Sequence, residues 1–160
     1  MTVAFIALGS NLGDARAQVL AAFDALAQLP GTRLLACSPL YLTPPWGVLE
    51  QPPFINAVAQ IDTTLPPREL LDALLAVERA AGRVRDGERW GPRTLDLDIL
   101  HLDGVVLSDE RLSLPHPRIR ERAFVLLPLH DLAPELQLPS QGRVADLLAA
   151  IDAAGCERLP

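Results

Sequence analysis

Asp96 and Asp98 stand one residue apart in the run Thr94-Leu95-Asp96-Leu97-Asp98-Ile99. In an extended chain residues i and i+2 point to one face. The two carboxylates would therefore sit side by side, roughly 6.5–7 Å apart at the backbone for a rise of about 3.3 Å per residue. Leu95, Leu97 and Ile99 would point the other way, into a core. Two like charges at that spacing repel, and burial makes each worse. A divalent cation removes the conflict, and a pair of cations, about 3.5–4 Å apart in two-metal sites, suits the spacing better. Arg89 and Arg93 lie just upstream and offer forked donors to anions. Metal-binding carboxylates beside guanidinium forks describe a polyphosphate site. An arbitrary Asp-x-Asp is more often the wet face of an amphipathic strand. Here the surrounding run is too apolar for an exposed edge, and arginines cluster beside the acids. Trp90, one of two tryptophans, also sits in a Gly-Pro loop where no core requires it.

Composition narrows the classes. The 160 residues, 49% of them apolar, suffice for one globular domain spanning 1–160 with a real core. No apolar run reaches spanning length and no leader pattern opens the chain, so a soluble, cytoplasmic protein is expected. Cys37 and Cys156 are far apart and without a metal-ligand pattern; reduced, partly buried thiols are expected. A net charge of −6 argues against a general nucleic-acid binder. Five arginines nevertheless fall between Arg79 and Arg93, which suits a small anionic ligand. All 14 basic residues are arginine, which excludes a Walker-type lysine or a Schiff base.

The elements that must position the acids follow from pattern. Thr2 to Leu8 reads as a strand ending in the turn signal Gly9-Ser10-Asn11-Leu12-Gly13-Asp14. A helix capped by Asp14 or Asn11 carries Val19, Leu20, Phe23 and Leu26. Arg33 to Leu42 reads as a strand, Thr43 to Pro53 as a loop with four prolines, and Phe54 to Ile61 as another strand. Pro66-Pro67 opens a second helix with the stripe Leu70, Leu71, Leu74, Leu75 and Val77, and Gly82 stops it. Glu78 lies on that stripe, either at its edge or aimed into a pocket. Arg83 to Arg93 is a polar loop and Thr94 to Leu102 the aspartate strand. Asp103-Gly104 signals a hairpin with Val105 to Leu107 as its return strand, and helices are expected at Ile119 to Leu129 and Val144 to Ala154. The order β-α-β-β-α-β fits an α+β, ferredoxin-like antiparallel sheet with helices on one face. The added hairpin and C-terminal helices would cover the other face, giving three α/β/α layers.

The run RVRDGERWGPRTLDLDI, Arg83 to Ile99, strongly resembles the signature of the 6-hydroxymethyl-7,8-dihydropterin pyrophosphokinase family. So do IALGSNLGD at Ile6 to Asp14, TPPWG at Thr43 to Gly47, FIN at Phe54 to Asn56 and LPHPRIRERAFVLLPL at Leu114 to Leu129. The resemblance implies a diphosphokinase of folate biosynthesis that moves pyrophosphate from ATP to the pterin hydroxymethyl group, by in-line attack at the β-phosphorus, and releases AMP. It implies two Mg²⁺ held by Asp96 and Asp98, with Arg83 and Arg93 as phosphate-binding catalytic arginines. Glu78, Arg85, Trp90, Arg93, Ile99, Arg111, Ser113, His116 and Arg122 match positions around the nucleotide. Thr43, Pro44, Trp46, Phe54, Asn56, Trp90, Asp96 and Phe124 match the pterin slot, with Phe54 and Phe124 as the two stacking rings and Asn56 as the amide that reads the heterocycle's edge. Pro44 to Pro53 and Arg83 to Pro92 match lids that Trp46 and Trp90 would help to seal. The resemblance also implies ATP and the pterin as small-molecule partners; no nucleic-acid or membrane partner is expected, and a monomer is expected. Leu75, Pro117 and Phe54 depart from residues that some members carry.

Two other readings compete. Asp-x-Asp also serves nucleotide-sugar glycosyltransferases, but these need a longer nucleotide-binding domain than this chain supplies. A ferredoxin-like binding module needs no arginine-flanked carboxylate pair on a strand.

Overall fold

The computed structural model describes residues 1–44, 50–82 and 94–160. Strand β1 (Thr2–Ser10) runs two residues beyond the expected end, through Gly9 and Ser10. Helix α1 (Ala15–Ala27) starts where the Asp14 carboxylate accepts the Ala17 N–H at 3.1 Å, and it buries Val19, Ala22, Phe23 and Leu26. The strand expected over Arg33 to Leu42 is two strands, β2 (Thr32–Cys37) and β3 (Tyr41–Thr43). Pro39 has no N–H to continue a ladder. Ser38 makes the break, its N–H donating to the Val58 carbonyl and its hydroxyl accepting the Val58 N–H. Thr43 accordingly ends a strand instead of opening a loop.

Strand β4 (Phe54–Thr63) pairs with β3 at one end and β2 at the other. Helix α2 (Pro67–Ala80) opens on proline, and Gly82 follows its end at φ +88°. Strand β5 (Asp96–Leu102) closes the sheet in the order β3-β4-β1-β5, every neighbour antiparallel. That is the expected ferredoxin-like order. Ala4, Ile6, Leu8, Leu97 and Ile99 pack with α1 and α2 on one face, and Phe5, Val58 and Leu100 pack on the other. A bulge in β5 lets Leu100 and Leu102 bury on opposite faces.

The remaining elements depart further from pattern. The chain turns at Gly104, but Val105 to Leu107 does not return along β5. Strand β6 (Leu107–Ser108) pairs with β7 (Ser113–Leu114) instead. Asp109 closes this hairpin by accepting the Arg111 and Leu112 N–H groups, and Leu112 and Leu114 bury on the α1/α2 side, not the opposite one. A 3-10 turn (Ile119–Glu121) precedes α3 (Ala123–Leu132), the two separated by extended backbone at Arg122. A small hairpin, β8 (Gln137–Leu138) with β9 (Gly142–Arg143), leads to a short α4 (Val144–Ala149). Helices α3 and α4 form the third layer through Val125, Leu126, Leu129 and Val144. Strand β10 (Glu157–Arg158), which periodicity did not signal, pairs with β3. Both cysteines are free; Cys156 is half-buried and Cys37 is exposed instead of partly buried. Among the described residues no helix is long and apolar enough to cross a membrane.

Candidate active site

Register builds the site. Tyr41 faces Asn56, Asn56 faces Gly9, and Gly9 faces Asp96. Directly opposed residues of antiparallel strands share a face, so these four form one row across the sheet. The next row runs Val58, Ala7, Asp98, and Phe54 lies opposite Thr43 beyond the first. The expected alternation of β5 is present. Leu95, Leu97 and Ile99 are buried on the α1/α2 side, while Asp96 and Asp98 are half-exposed on the α3 side.

Arg122, at the start of α3, faces both acids. Burial pulls its guanidinium below the ordinary value, and the charges of Asp98 and Asp96 oppose that fall. The same guanidinium lies over the Phe124 ring, 5.7 Å from its centroid. Phe54 and Phe124 are both half-buried. On the same side the Asn56 Nδ2 donates to Thr43 Oγ1 at 2.7 Å; Asn56 is 8% exposed and Thr43 1%. Acids, cation, rings and a buried amide thus share one face.

The nucleotide positions divide. Glu78 is aimed inward and 2% exposed; its Oε2 accepts the Leu97 N–H at 2.8 Å. His116 donates its backbone N–H to the Leu100 carbonyl at 2.8 Å. Glu78 and His116 therefore flank Ile99 along the outer edge of β5, where the Ile99 side chain itself turns into the core. The His116 Nδ1 accepts the Arg118 N–H, while burial, then the charges of Arg122 and Arg118, push its pKa down to about 4. Neutral imidazole is the form at neutral pH. Arg111 pairs with Asp72 on α2, and Arg68 of α2 with Asp109, so the β6–β7 hairpin carrying Arg111 and Ser113 is tied to α2. Arg118 and Arg120 are exposed. Pro44 lies against Gly155 near the C-terminal strand. Trp46, Arg83, Arg85, Trp90 and Arg93 lie outside the described residues, as do half of the first expected lid and the whole of the second.

Three neighbours at the end of β1, Gly9, Ser10 and Asn11, are not singled out as site residues by pattern. Ser10 donates to the Thr94 carbonyl, two residues before Asp96, and Asn11 Nδ2 donates to Gln51 Oε1 at 2.8 Å and the Pro52 carbonyl at 2.9 Å. Gly9 has no side chain in the middle of the polar row. The available signal was a trio of small residues closing an apolar strand inside one of the resembling segments.

Among the described residues no group of three or more His, Cys, Asp and Glu could hold a metal. Two carboxylates without imidazole or thiolate suit a hard cation that completes its shell with water and phosphate oxygens, as Mg²⁺ does. The antiparallel sheet with helices on both faces sets these two carboxylates, a guanidinium and two half-buried rings on one face. The family model for 7,8-dihydro-6-hydroxymethylpterin-pyrophosphokinase matches residues 5–134, and the chain belongs to that family. A Pseudomonas aeruginosa protein named 2-amino-4-hydroxy-6-hydroxymethyldihydropteridine pyrophosphokinase is 55% identical over 98% of this chain and 96% of its own length. One of the same name from Methylorubrum extorquens is 49% identical over 99% of each. The solved structure of Plasmodium falciparum HPPK-DHPS with pteroate superposes with a TM-score of 0.76 at 15% identity, over 98% of this chain and 45% of that one. The chain thus spans under half the length of that structural neighbour, whose likeness concerns the fold.

Proposed function

We propose that this protein transfers pyrophosphate from ATP to the hydroxymethyl oxygen of 6-hydroxymethyl-7,8-dihydropterin, a step of folate biosynthesis. The observation that carries the reading is the row Asp96–Gly9–Asn56, which sets a metal-type carboxylate and a ring-reading amide on either side of one glycine. Family membership and the relatives' names support it. The pterin oxygen forms a bond to the β-phosphorus, the bond from that phosphorus to the α,β-bridging oxygen breaks, and AMP leaves. Such a transfer needs no covalent enzyme intermediate, so the protein's work is positioning and charge neutralisation.

Each residue has a part. Phe54 and Phe124 stack on the two faces of the bicycle. Asn56 supplies a donor and an acceptor to its edge. Asp96 and Asp98 would hold two Mg²⁺, and Arg122 adds a cation on the same face. When bound, the two ions neutralise the triphosphate and acidify the attacking hydroxyl. Arg83 and Arg93 are assigned to the phosphates, and Trp46 and Trp90 to sealing the closed site from water. Glu78, Ile99 and His116 form the nucleoside side along the edge of β5. The unit is residues 1–160, monomeric and cytoplasmic.

The test is direct. Purified protein with ATP, Mg²⁺ and the pterin should give AMP and pyrophosphorylated pterin in equal amounts, and neither without Mg²⁺. ADP as the nucleotide product, or no pterin-dependent AMP, overturns the proposal.

A further inference from the structure

We infer that Gly9 sets the geometry of the pterin slot, because its missing side chain is the space the Asn56 carboxamide occupies. This deepens the functional reading above and rests on it. Gly9 lies in the middle of the sheet, between Asn56 on β4 and Asp96 on β5. It is absent from the glycines with positive φ, so its backbone conformation is open to any residue. Glycine at this place is a matter of room. A Cβ built there would lie 2.6 Å from Asn56 Oδ1, far inside contact distance, and 3.8 Å from a ring carbon of Phe54.

The carboxamide cannot simply swing clear. Asn56 is buried, and its Nδ2 is bound to Thr43 Oγ1 at 2.7 Å. Any added side chain at Gly9 must displace the amide and strain or break that bond. The bare backbone of Gly9 therefore forms a floor shared by two halves of the site. On one side the amide reads the heterocycle; on the other stands Asp96. A substrate whose reactive hydroxymethyl group must reach the metal-bound phosphates while its ring stays under Asn56 has to cross that floor. Gly9 is thus a positioning residue for the pterin, and strand β5 stands between it and the nucleoside edge at Glu78 and His116.

Gly9→Ala tests this, with pterin affinity measured in the presence of Mg²⁺ and α,β-methylene-ATP, and the affinity for that analogue measured separately. The expected result is about 10- to 100-fold weaker pterin binding, the usual range for a displaced buried hydrogen-bonding group, with analogue affinity unchanged. In an Asn56→Ala background, where the collision is gone, adding Gly9→Ala should lower kcat/KM for the pterin little further. Wild-type pterin affinity in Gly9→Ala, equal loss of both ligands, or full additivity with Asn56→Ala overturns the inference. Should Gly9→Ala fail to fold, the pair Gly9→Ala/Asn56→Ala should fold, and a pair that stays unfolded is equally contrary. Wild-type protein that binds no pterin at all refutes the functional reading instead.

Discussion

The two faces of the central strands do different work with the same backbone. On the α1/α2 side, β1 and β5 present Ile6, Leu8, Leu97 and Ile99 to a dry core. On the α3 side, the alternate positions present Gly9, Asp96 and Asp98 beside Asn56. Fully burying one aliphatic side chain stabilises by about 1.5–3 kcal/mol, so the first face carries stability. The second contains a like-charge pair at odds with stability, held by a sheet whose register the first face fixes. A one-residue slip of β5 would exchange acids and leucines. The core therefore specifies the site without touching its ligands.

Substitutions should separate the faces. Asp96→Ala or Asp98→Ala should lower turnover at least ~10³-fold, on the scale of losing one electrostatic stabiliser, with the melting temperature unchanged or raised. Steady-state kinetics with thermal melts reads both. Ile6→Ala should do the reverse, costing about 2–5 kcal/mol in denaturant unfolding while the folded fraction keeps its turnover. Equal damage to stability by the aspartate variants would break the distinction.

Glu78 joins the faces, because it belongs to the core stripe of α2 but grips the strand between the two acids. Glu78→Leu should cost about 1–3 kcal/mol by leaving the buried Leu97 N–H unpaired, and should also depress turnover. Glu78→Gln, which still offers an acceptor, should retain most of both.

His116 sharpens the comparison through pH. Its folded pKa, about 4, lies below the ordinary value of 6.5, so the unfolded chain binds the extra proton first. Stability from this group is complete above 6.5 and falls as pH drops toward 4, by at most about 3 kcal/mol. His116→Asn should flatten that part of a melting-temperature profile, and an unchanged slope would refute the burial of its neutral form.

The smallest effect is expected at Tyr41, whose hydroxyl donates to Asp131 of α3 at 2.5 Å and whose pKa is raised to about 12 by burial and that carboxylate. Tyr41→Phe should cost about 0.5–1.5 kcal/mol in unfolding experiments. Asp131 keeps Arg158 as a partner, which limits the loss.

What could be read from sequence was what a local pattern encodes. The Leu/Asp alternation of β5, the Asp14 cap, the proline start of α2 and its Leu70–Leu74–Glu78 line each depend on residues a few positions apart. The strand order followed from element order. What could not be read depends on partners far along the chain. Gly9 matters because register places it against Asn56, 47 positions away. Ser10 matters because it meets Thr94. Strands β6, β7 and β10 are two residues long, too short for periodicity to mark. Pro39 was visible, but its consequence, the break between β2 and β3, needed β4 as a continuous template.

The pairing of Asp96 and Asp98 as one cation site is tested most directly by Mn²⁺ titration, followed by electron paramagnetic resonance, with α,β-methylene-ATP and pterin present. Wild-type protein should take up two tightly bound ions per chain, as two-metal phosphate sites do, and Asp98→Asn no more than one. Equal uptake by the two proteins, or none by either, would contradict it.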